Sequence, residues 1–291
     1  MKAVRKAPLW LALGLSFLFM TGAANASVVI GGTRVIFPGK EREVTVRLSN
    51  ERDGPSLVEA WIDPGEEIDA QAPLAPASAP NSAQVPFVLT PPLFRLDARK
   101  GQTLRIFRAA GALPQDRESL FWLNVLDVPP SPKQPGNYLK LAVRTRIKLF
   151  YRPQGLSGTA GEAADQLQWT MSASAANSPG RLHIKNPTPF HVTITSVDLS
   201  ADTEVVGKMI PPFGELELPL ADARRKQTAQ SAPPQASAAG AAAASSPSAK
   251  PATALPVVIP SIKAGDPLKF TIVNDYGGTE AKSARIATPS P

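Results

Sequence analysis

The chain has 291 residues, a formal net charge of +7 and no cysteine. The missing cysteines exclude disulfide staples, thiolate metal sites and cysteine nucleophiles. The basic excess is small and does not suggest a nucleic-acid binder, which would cluster Lys and Arg on one face.

The first segment is a targeting sequence. Lys2, Arg5 and Lys6 precede an uncharged apolar run at residues 9–20, and Ala24-Asn25-Ala26 supplies small residues for cleavage. This layout predicts a secretory signal peptide over residues 1–26, cut after Ala26. The run is shorter than the roughly 20 residues a spanning helix needs, so no membrane insertion is expected. What remains suffices for two sandwich domains of about 100 residues each.

Period-two patterning dominates that remainder. Val44, Val46 and Leu48 alternate with polar neighbours, as do Val58, Ala60 and Ile62. The same holds for Leu182 and Ile184, Val192 and Ile194, and Leu216, Leu218 and Leu220. Short alternating runs bounded by Pro, Gly, Asn and Asp predict an all-β protein built from sandwiches. No stretch shows a convincing helical period. Residues 63–86 and 221–256 are rich in Ala and Pro, the second also in Ser, and are expected to be mobile loops. Strand signals resume at residues 268–273, so the second loop is an insertion within a domain. Pro153 stops the preceding strand, placing a domain boundary near residues 152–155. The expected domains are 27–153 and 154–291.

Signs of catalysis are sparse. The two histidines, His183 and His191, lie in strand-like runs, and no metalloprotease, nucleophile-elbow, phosphate-loop or dinucleotide motif occurs. No enzyme activity, cofactor or metal site is expected. The most informative segment is residues 139–153, LKLAVRTRIKLFYRP. Leu139, Leu141 and Val143 alternate with Lys140, Ala142 and Arg144, and the pattern continues to Phe150. Periodicity leaves two readings open: a buried central strand with a basic outer face, or an edge strand with exposed apolar residues awaiting a partner.

Several segments resemble the periplasmic pilus chaperones of the PapD type. Residues 113–130, LPQDRESLFWLNVLDVPP, are similar to the family signature, and residues 146–153, RIKLFYRP, to the end of its donor strand. Residues 186–190, NPTPF, and 274–278, NDYGG, resemble two signatures of the second domain, and residues 33–37, TRVIF, the first strand. The resemblance implies two immunoglobulin-like β-sandwiches in a boomerang arrangement, with a cleft between them. It implies a chaperone that binds, folds and caps pilus subunits by lending them a strand, then delivers them to an outer-membrane usher. Arg34 and Lys148 match the basic pair that holds a subunit's C-terminal carboxylate, and Leu139, Leu141 and Val143 match the donor residues. Glu118, Arg152 and Asp275 match an interdomain charge cluster that sets the domain angle. Capping of the strand by a second copy stays open.

Strict alternation puts Lys148 out of phase with Leu139, Leu141 and Val143, so a bulge or strong twist is expected between them. The chain departs from many members in lacking a cysteine pair near its end and in carrying the 221–256 insertion. The alternative is an exported structural pilus subunit or adhesin. That alternative requires an N-terminal donor extension ahead of the first sandwich strand.

Overall fold

The computed structural model describes residues 28–64, 85–131, 136–172, 180–226 and 265–287. The signal segment and its cleavage after Ala26, and residues 227–256 of the second insertion, lie outside these.

The alternating runs fold as β-strands. The first half comprises β1 (Val28–Ile30), β2 (Arg34–Pro38), β3 (Glu43–Asn50), β4 (Ser56–Pro64), β5 (Phe87–Thr90), β6 (Leu93–Leu96), β7 (Gly101–Arg108), β8 (Ser119–Val128) and β9 (Val143–Arg152). They form two sheets, in the orders β1-β3-β7-β5 and β2-β9-β8-β4-β6. Between the sheets, Phe37, Leu48, Leu104, Ile106, Leu123 and Leu149 are fully buried. Phe87 bridges two neighbours there, with ring centroids 5.3 Å from Phe37 and 4.9 Å from Phe121. The first strand is divided. The chain pairs with β3 through residue 30, leaves that sheet at Gly31 and Gly32, and joins the opposite sheet at Arg34. Residues 33–37, expected to be the first strand, thus lie in the second.

The second half carries a one-turn helix, α1 (Ala160–Ala163), then β10 (Gln168–Ser172), β11 (Arg181–Lys185), β12 (Val192–Asp198), β13 (Thr203–Val206), β14 (Met209–Ile210), β15 (Glu215–Pro219), β16 (Arg224–Arg225), β17 (Pro267–Val273) and β18 (Thr279–Ala287). These make one curled sheet, β15-β11-β10-β18-β17-β12-β13-β16, with β14 on β12. The parallel pairing of β10 with β18 at Trp169↔Ile286 joins its two layers. Trp169 and Phe270 pack 4.9 Å apart at its centre, beside Leu182, Ile184, Ile194 and Val197. The two cores share no residue, and the chain passes between them after Tyr151 and before Leu156.

Both predicted loops are narrower than expected. β4 continues through Asp63 and Pro64, paired to Trp122 and Phe121. Residues 220–222 form a 3-10 turn, and Arg224 and Arg225 pair with β13, Arg224 reaching Glu204 at 3.1 Å. Composition marked both segments as loops, but ladder partners far away in sequence hold their ends.

Leu149→Ala, at a fully buried position in β9, is expected to cost about 2–5 kcal/mol, read as a lower urea midpoint at unchanged slope. The exposed control Val88→Ala should stay within about 0.5 kcal/mol of the parent.

Candidate functional site

Strand β9 is the element from which the site is built. On one side β8 pairs with its whole length, Asp127↔Val143 through Ser119↔Tyr151. On the other, β2 runs parallel to it and begins only at Arg34↔Lys148. The two readings of this segment are therefore both met, each by one half. From Lys148 to Arg152 it is a central strand, and Phe150 and Tyr151 are buried there. Among the described residues, Val143, Thr145 and Ile147 have a sheet neighbour only in β8.

Residues 139–142 are not strand, which corrects the expectation of one long strand from Leu139. β8 ends at Val128, and Pro129 and Pro130 follow. Proline cannot donate to a ladder, so nothing remains on that side to hold residues 139–142 extended. Leu139 is 83% exposed, Leu141 64% and Val143 39%. Three apolar side chains of alternate phase thus stand in water next to an open sheet edge.

No bulge separates these residues from Lys148. The β8–β9 register is continuous from Val143 to Tyr151, so Val143 and Lys148 lie on opposite faces, contrary to the expected bulge. The outer face carries a stack of cations on indoles. Arg144 lies 5.1 Å from the Trp61 ring, and Arg146 and Lys148 lie 4.2 and 5.7 Å from the Trp122 ring. Arg144 also donates to Asn124 Oδ1 at 2.7 Å and sits 3.3 Å from Asp63.

Arg34 and Lys148 are register partners, so their side chains share a face. They line a cleft of about 320 Å³ with Thr33, Trp122, Arg146, Ile147, Val273 and Gly277. Val273 and Gly277 belong to the second half of the chain. Arg34 Nη1 donates to the Val273 carbonyl at 3.1 Å, and its guanidinium lies 5.8 Å from the Phe150 ring. Arg34 Nε is buried and has no hydrogen-bond partner. Burial pulls this guanidinium below its ordinary value, and the charges of Asp275 and Glu118 only partly offset that. An anion entering the cleft meets a cation whose compensation is incomplete.

Behind the cleft the structure brings Glu118, Arg152 and Asp275 together. Arg152 Nε donates to Glu118 Oε1 at 2.7 Å, and Nη1 and Nη2 take the two Asp275 oxygens at 2.7 and 2.9 Å. Burial pulls Arg152 down, but the hydrogen bonds and charges of Asp275 and Glu118 outweigh it and raise it overall. Sequence reasoning missed His191, which it treated as an ordinary strand residue. Its backbone N–H and Nδ1 lie 2.8 and 3.2 Å from Glu118 Oε2, and its ring is 5.2 Å from Phe150. Only its place directly after the NPTPF motif hinted at this. His183 stays outside the site, near Glu215 at 3.0 Å.

Comparison with known proteins identifies the family. The chain matches the PapD N-terminal domain of pili and flagellar-assembly chaperones over residues 27–157 and the pili assembly chaperone PapD C-terminal domain over residues 162–238. It is 43% identical over 203 residues to the probable fimbrial chaperone YadV of Escherichia coli K12, covering 67% of this chain and 78% of that one. The chaperone protein FimB/FhaD of Bordetella pertussis is 44% identical over 219 residues, covering 72% of this chain and 84% of the relative. Among solved structures, the YadV chaperone superposes with a TM-score of 0.62 at 34% identity, covering 90% of this chain and 100% of that one. The Salmonella enterica SafA pilin–SafB chaperone complex gives 0.61 at 26% identity, covering 89% of this chain and 96% of the matched chain. The chain belongs to the PapD-type pili assembly chaperones: it is a periplasmic chaperone of fimbrial assembly, and not an enzyme.

The charge cluster makes a ranked stability prediction. Arg152→Ala strands the Glu118 carboxylate, whose side chain is 2% exposed, and is expected to cost about 3–5 kcal/mol. Asp275→Asn touches a side chain that is 35% exposed and should cost about 1 kcal/mol or less. Urea melts of the two variants measure the order, and equal losses would contradict it.

Proposed function

We propose that this chaperone captures pilus subunits by offering the first half of β9, with Leu139, Leu141 and Val143, as a donor strand, while Arg34 and Lys148 hold the subunit's C-terminal carboxylate. The observation that carries the reading is the partial cover of β9. β2 begins with Arg34 opposite Lys148 and leaves the upstream edge of β9 beside three exposed apolar residues. A subunit lacking its last strand has the complementary defect, an open groove and an open edge. Pairing supplies main-chain hydrogen bonds to both, and each apolar side chain buried in the groove contributes about 1.5–3 kcal/mol.

The register also selects a direction. A strand added upstream of β2, in line with it, ends where Arg34 begins. Running parallel to β9, it delivers its C-terminus to Arg34 and Lys148. Running antiparallel, it turns toward the same two cations a strand end that carries no carboxylate, so the parallel direction, which gains the charge-assisted bonds, is favoured. The opposite phases of Val143 and Lys148 then need no bulge. The donor residues meet side chains in the groove, whereas the basic pair meets the end of a main chain.

The same reading divides the chain into working domains 27–153 and 154–291. It also includes delivery to an outer-membrane usher, where a subunit's own extension would replace β9. The SafA–SafB match, a pilin held by a chaperone, supports subunits as partners. β1 (Val28–Ile30) pairs with β3 in the first sandwich, which supports the chaperone reading over a structural subunit.

Two experiments test the reading. Arg34→Ala and Lys148→Ala are each expected to abolish recovery of co-expressed subunit from the periplasm, with the chaperone's melt little changed. Normal recovery in both would remove the carboxylate assignment. The double variant Leu141→Glu, Val143→Glu should remain folded by circular dichroism, since both side chains face water, yet fail to protect subunits from degradation. A double variant that does not fold would return these residues to a core role.

A further inference from the structure

The turn that links β17 to β18 meets the first half of the chain at three places. The Val273 carbonyl accepts from Arg34 Nη1 at 3.1 Å, Asp275 holds Arg152 with both oxygens, and Gly277 packs on Thr33 at the start of β2. The turn is tight. Gly277 N–H donates to the Asn274 carbonyl at 2.9 Å, and Asn274 Oδ1 accepts from the N–H groups of Tyr276 and Gly278 at 3.1 and 3.0 Å. Gly277 has a φ of 82°, in the left-handed region that favours glycine. A Cβ at Gly277 would overlap Thr33 Oγ1 and stand 3.3 Å from Thr33 Cβ. The absence of a side chain therefore sets how closely the second domain approaches the residue next to Arg34.

We propose that Gly277 is a positioning residue for the carboxylate anchor: by letting the turn close on Thr33, it keeps the Val273 carbonyl within reach of the Arg34 guanidinium and so aims that group into the cleft. The inference rests on the carboxylate-anchor reading and adds to it that the second domain orients the anchor. The contact is sensitive to distance. A retreat of about 0.5 Å carries a 3.1 Å hydrogen bond to the limit of useful geometry. Arg34 then loses its contact with the second domain, and its long side chain regains rotamers that miss the incoming carboxylate.

The test uses full-length chaperone and a labelled peptide of alternating Val and Thr, made once with a free C-terminal carboxylate and once as the amide. Dissociation constants for the pair are compared by fluorescence anisotropy. The parent should favour the acid by roughly tenfold or more, the scale of one charge-assisted hydrogen bond. Gly277→Ala should bring the ratio to within about twofold of unity, with amide binding through β9 unchanged. Adding Thr33→Ala, which removes the overlapping hydroxyl, should restore the ratio. If Gly277→Ala is not recovered folded, Gly277→Asn replaces it, because Asn tolerates the left-handed region while still placing a Cβ against Thr33. An undiminished ratio in the Gly277 variant overturns the positioning role and leaves the anchor intact. A ratio lost in the Gly277 variant but not restored by Thr33→Ala also overturns it. A parent with no preference for the acid removes the anchor reading, and this inference with it.

Discussion

A β-strand has two edges, and among the described residues one of β9's edges finds a partner for only part of its length. β8 covers one side throughout, while β2 covers the other from Lys148 onward. This follows from the divided first strand. The chain spends residues 28–30 on β3, crosses at Gly31 and Gly32, and reaches β9 late. Had the crossing come earlier, β2 would complete the sheet and leave no edge to lend. Exposed edges are normally an aggregation hazard, blunted by charge and by short pairing segments. Both devices are present. Arg144, Arg146 and Lys148 line the outer face, and residues 139–142 stay out of strand geometry. These cations repel another basic chain at the edge and attract one that ends in a carboxylate.

The two cores are linked through a second constraint. Glu118 is almost fully buried, and a buried carboxylate is costly unless every lone pair is engaged. Arg152 takes one oxygen, and His191 approaches the other through its main chain and its ring. Arg152 belongs to the end of β9, and Asp275 to a turn of the second domain. One guanidinium thus ties β9, β8's approach and the far hairpin into a single geometry. Replacing such a network by apolar residues often leaves stability unchanged or improves it. Its contribution here lies in direction: a planar fork with both Asp275 oxygens engaged tolerates little rotation of one domain against the other. Arg34 receives its contact from Val273, two residues before Asp275, so the same turn serves the clamp and the cleft.

Much of this was legible in the residues. Period-two alternation located the strands that carry Val44 to Leu48, Val58 to Ile62 and Leu182 to Ile184, because a half-buried strand writes its burial directly into the sequence. Motifs singled out Arg34, Lys148, Glu118, Arg152 and Asp275, which span most of the chain and which the fold gathers in the cleft and the cluster behind it. Long-range pairing was not legible. Asp63 and Pro64 look like loop by composition, yet β8 holds them in strand. Leu139 and Leu141 look like strand by alternation, yet they have no ladder, since Pro129 and Pro130 end the strand beside them. His191 is silent in sequence because its partner is 73 positions away. Gly277 reads as a turn residue, and nothing in NDYGG reveals that the missing side chain matters for Thr33.

If the proposed anchor and donor roles hold, the same features let the chaperone choose its clients. Apolar donor residues alone would suit any exposed groove, since burial is proportional to area and indifferent to identity. The basic pair adds a test that side chains cannot mimic easily. It sits at the junction with β2, in line with the open edge, where only the last residue of a parallel strand can place two oxygens. A subunit whose sandwich is complete has no groove to fill, and one whose terminal strand is misregistered by two residues brings its carboxylate several ångströms short, at about 3.3 Å per residue. Charge-assisted bonds weaken steeply over that distance. Strand register in the client is thereby converted into affinity at Arg34 and Lys148. Because the second domain holds Arg34, that conversion depends on the relative setting of two sandwiches, which gives the chain a use for both.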